Sequence, residues 1–172
     1  AQRIRYENKV GASCTLPELM EMDVRTALEM CRDLKTVHQR LQVLQDLGLG
    51  YLTLGEETPS LSGGEAQRLK LASEIGKTQN DSVFVFDEPS IGLHPANIVG
   101  LTGVMKDLIA DGNSVILVDH DTQILKQADW IVEMGPEAGA KGGYIMAQGT
   151  VPDIQANRLS KIGGFLSGRT NT

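Results

Sequence analysis

The stretch Val83-Phe84-Val85-Phe86-Asp87-Glu88-Pro89 decides how this chain is read. Four apolar, β-favouring residues followed by two carboxylates describe a buried strand that Pro89 stops. In open parallel sheets the carboxyl ends of the strands face the ligand crevice, so Asp87 and Glu88 point toward chemistry. Two acids at one strand end can divide the work. Asp87 would hold Mg2+, directly or through water, and Glu88 would orient and polarise an attacking water.

Working downstream, Pro89 to Pro95 reads as a turn, and a helix is predicted from about Ala96 to Ala110. A second apolar run, Val115–Val118, ends in Asp119-His120. If the two strands are parallel neighbours, His120 and Glu88 reach the same sheet edge, where a histidine can contact a terminal phosphate. A short helix from Thr122 to Ala128 follows. Trp130–Met134 and Tyr144–Ala147 then read as closing strands around a glycine-rich turn, and Thr150 caps a last helical stretch. The alternation predicts an α/β fold with a largely parallel central sheet.

Upstream stands Leu61-Ser62-Gly63-Gly64-Glu65-Ala66-Gln67-Arg68. Ser62 with Glu65 three residues on is a capping box, so a helix is predicted from Ser62 through Ile75. Two glycines in its first turn weaken the helix by up to about 1 kcal/mol each. They also let backbone N–H groups approach an anion closely, where the helix N-terminus is partially positive and the Ser62 hydroxyl can donate. That combination suits a terminal phosphate.

Still further upstream, Asp23 is a predicted N-cap and Val24, Leu28 and Cys31 share a helical face. Val37, Leu41, Leu44 and Leu47 repeat at helical spacing until Gly48. Residues 50–60 read as a loop or short strands, and residues 1–16 give no clear pattern.

Composition narrows the classes. The 172 residues include 41% hydrophobic and 4% aromatic side chains, which suits helices on a parallel sheet better than an all-β sandwich. The net charge of −6 and the absence of a basic run argue against this segment being a main DNA-contact surface. Cys14 and Cys31 form no CxxC pair and read as reduced thiols in a cytoplasmic setting, with no zinc site. No stretch approaches the about 20 apolar residues of a membrane span.

The eight residues 61–68 match the signature motif of ABC ATPases, and the flanks narrow the resemblance. Tyr51-Leu52-Thr53-Leu54-Gly55 precedes the signature, and Leu69-Lys70-Leu71-Ala72-Ser73-Glu74 follows it. Ser90-Ile91-Gly92-Leu93-His94, Ala128-Asp129-Trp130, Gly135-Pro136-Glu137 and Gly142-Gly143 through Gly149-Thr150 continue the match. Together they resemble the C-terminal ATPase module of the UvrA family, which recognises DNA damage in bacterial excision repair.

The resemblance implies a partial ABC-type domain, with residues 1–78 a helical signature portion and 79–172 the C-terminal lobe of the ATP-binding domain. It implies that Ser62, Gly63, Gly64, Glu65 and Gln67 contact the ATP of an opposing module. Asp87 would serve Mg2+ at the chain's own module, with Glu88 and His120 catalytic there. Gly92, Leu93 and His94 would form the D-loop toward the partner module. Expected partners are the second ATPase module, a full-length homodimer, DNA, and a UvrB-like helicase partner.

A phosphate-binding loop needs GxxxxGK[ST] between strand and helix. Gly76-Lys77-Thr78 has Leu71 where the first glycine belongs, and it ends a helix instead of opening one. The chain is therefore expected to be a fragment inactive alone. Ser90-Ile91, Asp119-His120-Asp121 and Ala138 depart from the family's commoner residues. They leave open a UvrA-like paralogue, including one in drug resistance. A transport ATPase, against which Gly92-Leu93-His94 and Gly135-Pro136-Glu137 with Gly142-Gly143 speak, and a non-catalytic interaction module are the other readings.

Overall fold

The patternless opening folds into a hairpin. A computed structural model describes residues 4–57, 61–75, 77, 80–137 and 142–168. Strands β1 (Arg5–Glu7) and β2 (Ser13–Thr15) pair antiparallel, with Tyr6 opposite Cys14. Asn8 holds the connection, its Oδ1 accepting from the Val10 and Ala12 N–H groups. These are local side-chain-to-backbone bonds that leave little trace in hydrophobic periodicity.

Three helices follow: α1 (Leu16–Met20), α2 (Val24–Met30) and α3 (Lys35–Asp46). Asp23 caps α2 as expected, accepting from the Thr26 N–H at 2.7 Å. Helix α3 closes with a Schellman motif in which Gly48 bonds the Gln45 carbonyl and Leu49 the Leu44 carbonyl. Gly48 takes φ of +73°, which glycine adopts without the Cβ penalty. Residues 50–55 then run back over the start of α2. There Leu52 and Gly50 carbonyls accept from Val24 and Arg25, first-turn donors that the helix itself cannot satisfy. Val24, Ala27, Cys31 and Leu41 form the buried core here, with Leu19, Met22, Leu28, Leu44 and Leu54 packed around them.

Next come α4 (Gly63–Glu74), β3 (Val83–Asp87), α5 (Pro95–Ala110) and β4 (Ser114–Val118). Strands β3 and β4 are parallel, running from Val83 beside Ser114 to Asp87 beside Val118. The expected parallel arrangement is present as this pair, while the other strand pairs are antiparallel. The expectation of a fully buried β3 needs correction. Side chains alternate faces along a strand. Phe86 is buried, but Val83 and Val85, with Ile116 and Val118 beside them, are exposed on the opposite face. Helix α5 contributes Ile98, Leu101, Val104, Met105 and Leu108 to the core and packs against β4.

The chain divides into two compact units, residues 1–118 and 119–172. The second holds α6 (Thr122–Leu125), β5 (Ile131–Gly135), β6 (Tyr144–Gly149), α7 (Val151–Ala156) and α8 (Gly163–Leu166). Helix α6 is shorter than the sequence suggested, because residues 126–127 continue as a turn and Ala128 leaves it. Strands β5 and β6 pair antiparallel with a bulge at Glu133/Met134. Ile131, Ala147, Ile154 and Leu166 form its core. Buried Glu133 accepts from the Ser160 hydroxyl and from the Lys161 and Ile162 N–H groups, tying the approach to α8 onto β5. Ala138 lies outside the described residues, as do Gly76 and Thr78 of the Gly-Lys-Thr tripeptide. Among the described residues no helix is long and apolar enough to cross a membrane.

Candidate functional site

The start of α4 is built as its residues require. The Ser62 hydroxyl accepts from the Glu65 N–H at 3.4 Å, and the Glu65 carboxylate accepts from the Ser62 N–H at 2.7 Å. The second Glu65 oxygen accepts from the Tyr51 hydroxyl. The Tyr51 bond, with help from both Ser62 bonds, holds the Glu65 carboxyl below its ordinary range. Burial, then the bond to Glu65, pushes the Tyr51 phenol up. Glu65 is thus a structural anion that fixes where the helix begins.

The two glycines of that first turn are not equivalent. A Cβ at Gly63 would meet open space, so an anion or a partner surface can approach there without obstruction. Gly64 is buried, and a Cβ on it would lie 3.1 Å from both the Ile91 carbonyl oxygen and Arg68 Nη1. Its missing side chain therefore serves packing. The N–H groups of both glycines belong to the first turn, where a helix supplies no acceptor of its own.

One turn further along α4, the side chains turn to β3. Gln67 Nε2 donates to the Asp87 carbonyl at 2.7 Å, and Gln67 Oε1 accepts from the Asp87 N–H at 3.0 Å. Arg68, nearly fully buried, donates through Nη1 to the carbonyls of Pro89 at 2.9 Å and Ile91 at 3.0 Å. Burial draws its pKa below the usual guanidinium value. Its Nε is buried with no hydrogen-bond partner among the described residues, a cost borne at the centre of this contact.

Asp87 is exposed at the strand end. The next residue, Glu88, has φ of +49°, a left-handed conformation that strains a residue with a side chain. Its N–H donates to the Val118 carbonyl at 2.7 Å, and its carbonyl accepts from the Ile91 N–H. The loop continues with Gly92 at φ of +74°. Half-buried Leu93 lies against the Gly48 turn, where a Cβ would come within 2.6 Å of Leu93 Cδ2. His94 caps α5, its Nδ1 accepting from the Ala96 N–H at 3.2 Å.

Ser62, Gly63, Gly64, Glu65, Gln67, Asp87, Glu88, Gly92, Leu93 and His94 all belong to the first compact unit, in which the bonds of Gln67 and Arg68 hold the start of α4 to the end of β3 and the loop after it. His120 belongs to the second unit, two residues beyond the end of β4, in a turn where Asp119 Oδ1 accepts from the His120 and Asp121 N–H groups. Sequence reading missed Tyr51 as the partner of Glu65 and the clamp made by Arg68. Both are contacts between segments whose spacing carries no periodic signal. Among the described residues no cluster of three or more His, Cys, Asp or Glu side chains is arranged to hold a metal ion. A Mg2+ bound mainly by phosphate and water needs only one or two carboxylates, and the exposed Asp87 fits that demand.

No family model matches the chain. It is 44% identical over 165 residues to UvrABC system protein A of Mycobacterium tuberculosis, covering 95% of this chain and 16% of that protein. UvrABC system protein A of Thermus thermophilus is 40% identical over 154 residues, which are 89% of this chain and 16% of that protein. The crystal structure of UvrA2 from Deinococcus radiodurans superposes with a TM-score of 0.82 at 35% identity, covering 91% of this chain and 22% of that one. The chain therefore spans a small part of the length of the relatives it matches. With that likeness extending over both compact units, the chain belongs to the UvrA family, as a region carrying part of an ABC-type nucleotide-binding fold.

Proposed function

We propose that this region works in an ATP-hydrolysing protein of DNA excision repair, presenting one face to each of two nucleotides. The open Gly63 turn at the head of α4, on the same body as the Asp87-Glu88 strand end, is the observation that carries this reading. The first-turn N–H groups and the Ser62 hydroxyl bind the terminal phosphate of ATP held by an opposing module. Asp87 holds Mg2+ beside the nucleotide of the chain's own module. Glu88 orients the attacking water, and His120 contacts the terminal phosphate. Gly92, Leu93 and His94 lead the chain toward the partner module. In functional terms residues 1–78 form the helical signature portion and 79–172 the catalytic lobe.

The phosphate loop comes from other polypeptide, so the 172-residue chain alone hydrolyses no ATP. The full-length protein pairs two such modules, forms a homodimer in the cytoplasm, and meets damaged DNA and a UvrB-like helicase partner through surfaces mostly outside this region. In that protein Glu88→Gln traps bound ATP and lowers turnover by about 100-fold or more. Unchanged hydrolysis by a folded Glu88→Gln protein rules out the role given to Glu88. Preference for lesion-bearing over intact DNA at fixed salt tests the repair assignment, and equal binding to both defeats it.

A further inference from the structure

We infer that Gln67 and Arg68 are positioning residues, through which the phosphate-facing start of α4 sets the geometry of Asp87 and Glu88 at the end of β3. The inference rests on the function proposed above and deepens it, because it assigns Gln67 to the chain's own hydrolytic site instead of to the opposing nucleotide.

Along a strand, the N–H and C=O of one residue point to one side, and those of the next residue point to the other. Glu88 directs its N–H to Val118 of β4. Asp87 must therefore turn its own N–H and C=O to the opposite edge, where both are taken by the Gln67 amide at 3.0 and 2.7 Å. A primary amide copies a peptide group, one donor and one acceptor side by side. Gln67 thus meets the Asp87 backbone as a neighbouring strand would. Both of its polar atoms are engaged there.

Arg68 continues the same grip on the following residues, binding the Pro89 and Ile91 carbonyls with one nitrogen. The first turn leans on the same loop at its one buried residue, since Gly64 leaves no more than room for the Ile91 carbonyl and the Arg68 guanidinium. Between these two anchored neighbours stands Glu88 with its strained backbone at φ of +49°. Strain of that kind persists only where surrounding contacts over-determine it. Here those contacts come from α4 on one edge and β4 on the other. A helix is stiff over so short a span, about 6 Å along the axis from Gly63 to Gln67. A displacement of the first turn on meeting phosphate is thereby carried to the carboxylates.

The test uses the full-length protein with hydrolysis at its other module silenced, and reads kcat, KM for ATP and thermal midpoint separately. Gln67→Leu keeps the side-chain volume and removes both bonds. It lowers kcat by about ten-fold or more, leaves KM within about two-fold, and keeps the protein folded. Arg68→Lys retains the charge but not the forked reach, and lowers kcat by a smaller factor at unchanged KM. This second variant decides the matter if Gln67→Leu fails to fold. Unchanged kcat in a folded Gln67→Leu protein overturns the inference. So does a raised KM at unchanged kcat, which would return Gln67 to nucleotide contact. Glu88→Gln run in parallel separates the two levels: if it abolishes turnover while Gln67→Leu does not, the positioning inference alone has failed.

Discussion

Gly100 of α5 stands against the Asp46 carbonyl at the end of α3, where a Cβ would fall 2.0 Å from that oxygen. Two helices far apart in sequence meet backbone to backbone at this point. A clash with a carbonyl cannot be relieved by rotating a side chain, so one of the helices must move. Gly100→Ala is predicted to cost about 3 kcal/mol, the upper end of overpacking penalties, despite the better helix propensity of alanine. Urea unfolding of the variant beside the unaltered chain measures it. A change below about 1 kcal/mol would show that the helices separate more easily than their contact implies.

The signature glycines provide a sharper contrast. Gly63→Ala meets nothing in the fold, whereas Gly64→Ala presses on the Ile91 carbonyl and the Arg68 guanidinium. Gly64→Ala should be the less stable of the two by about 1 kcal/mol. Gly63→Ala should keep its stability and lose ATP-dependent turnover in the full-length protein, because its Cβ obstructs the approach of phosphate. Equal thermal midpoints for the two variants would refute the division of labour between them.

Four capping carboxylates set an acid limit. Hydrogen bonds from Thr15, Thr26, Tyr51 and Thr150 lead in lowering the pKa values of Glu18, Asp23, Glu65 and Asp153, in that order. A carboxyl with a lowered folded pKa contributes its stability in full above its unfolded value. That contribution is lost as the pH falls through the folded value. The ordinary values are 4.5 for the two glutamates and 3.8 for the two aspartates, so unfolding midpoints should hold above pH 4.5 and decline below it. Tyr51→Phe removes the leading cause at Glu65, and the Glu65 carboxyl titration, followed by NMR, should move up toward 4.5. An unmoved titration would mean the Tyr51 bond does not form in solution.

The elements that announced themselves did so for local reasons. The Ser62/Glu65 box, the Asp23 cap, the Gly48 stop and the two apolar runs ending at Asp87 and near His120 are each specified by residues within a few positions of one another. Capping geometry and strand propensity act over that range, so the helix starts and the parallel strand pair could be read in advance. The hairpin at residues 5–15 could not, because it depends on Asn8 bonding its own neighbours while its strands are only three residues long. The α8 turn rests on Glu133, a buried acid distant in sequence from the groups it binds.

Residue identity alone marked the candidates for contact with a phosphate, a magnesium ion and a water, since such chemistry resides in individual side chains and glycines. Tertiary structure decided which of them are available. It turned Gly63 outward and Gly64 inward, and it engaged the Gln67 amide with the Asp87 backbone. It covered Phe86 while leaving Val83 and Val85 exposed. Such outcomes depend on what packs against each face, and side-chain chemistry contains no record of a neighbour that the chain brings near only on folding.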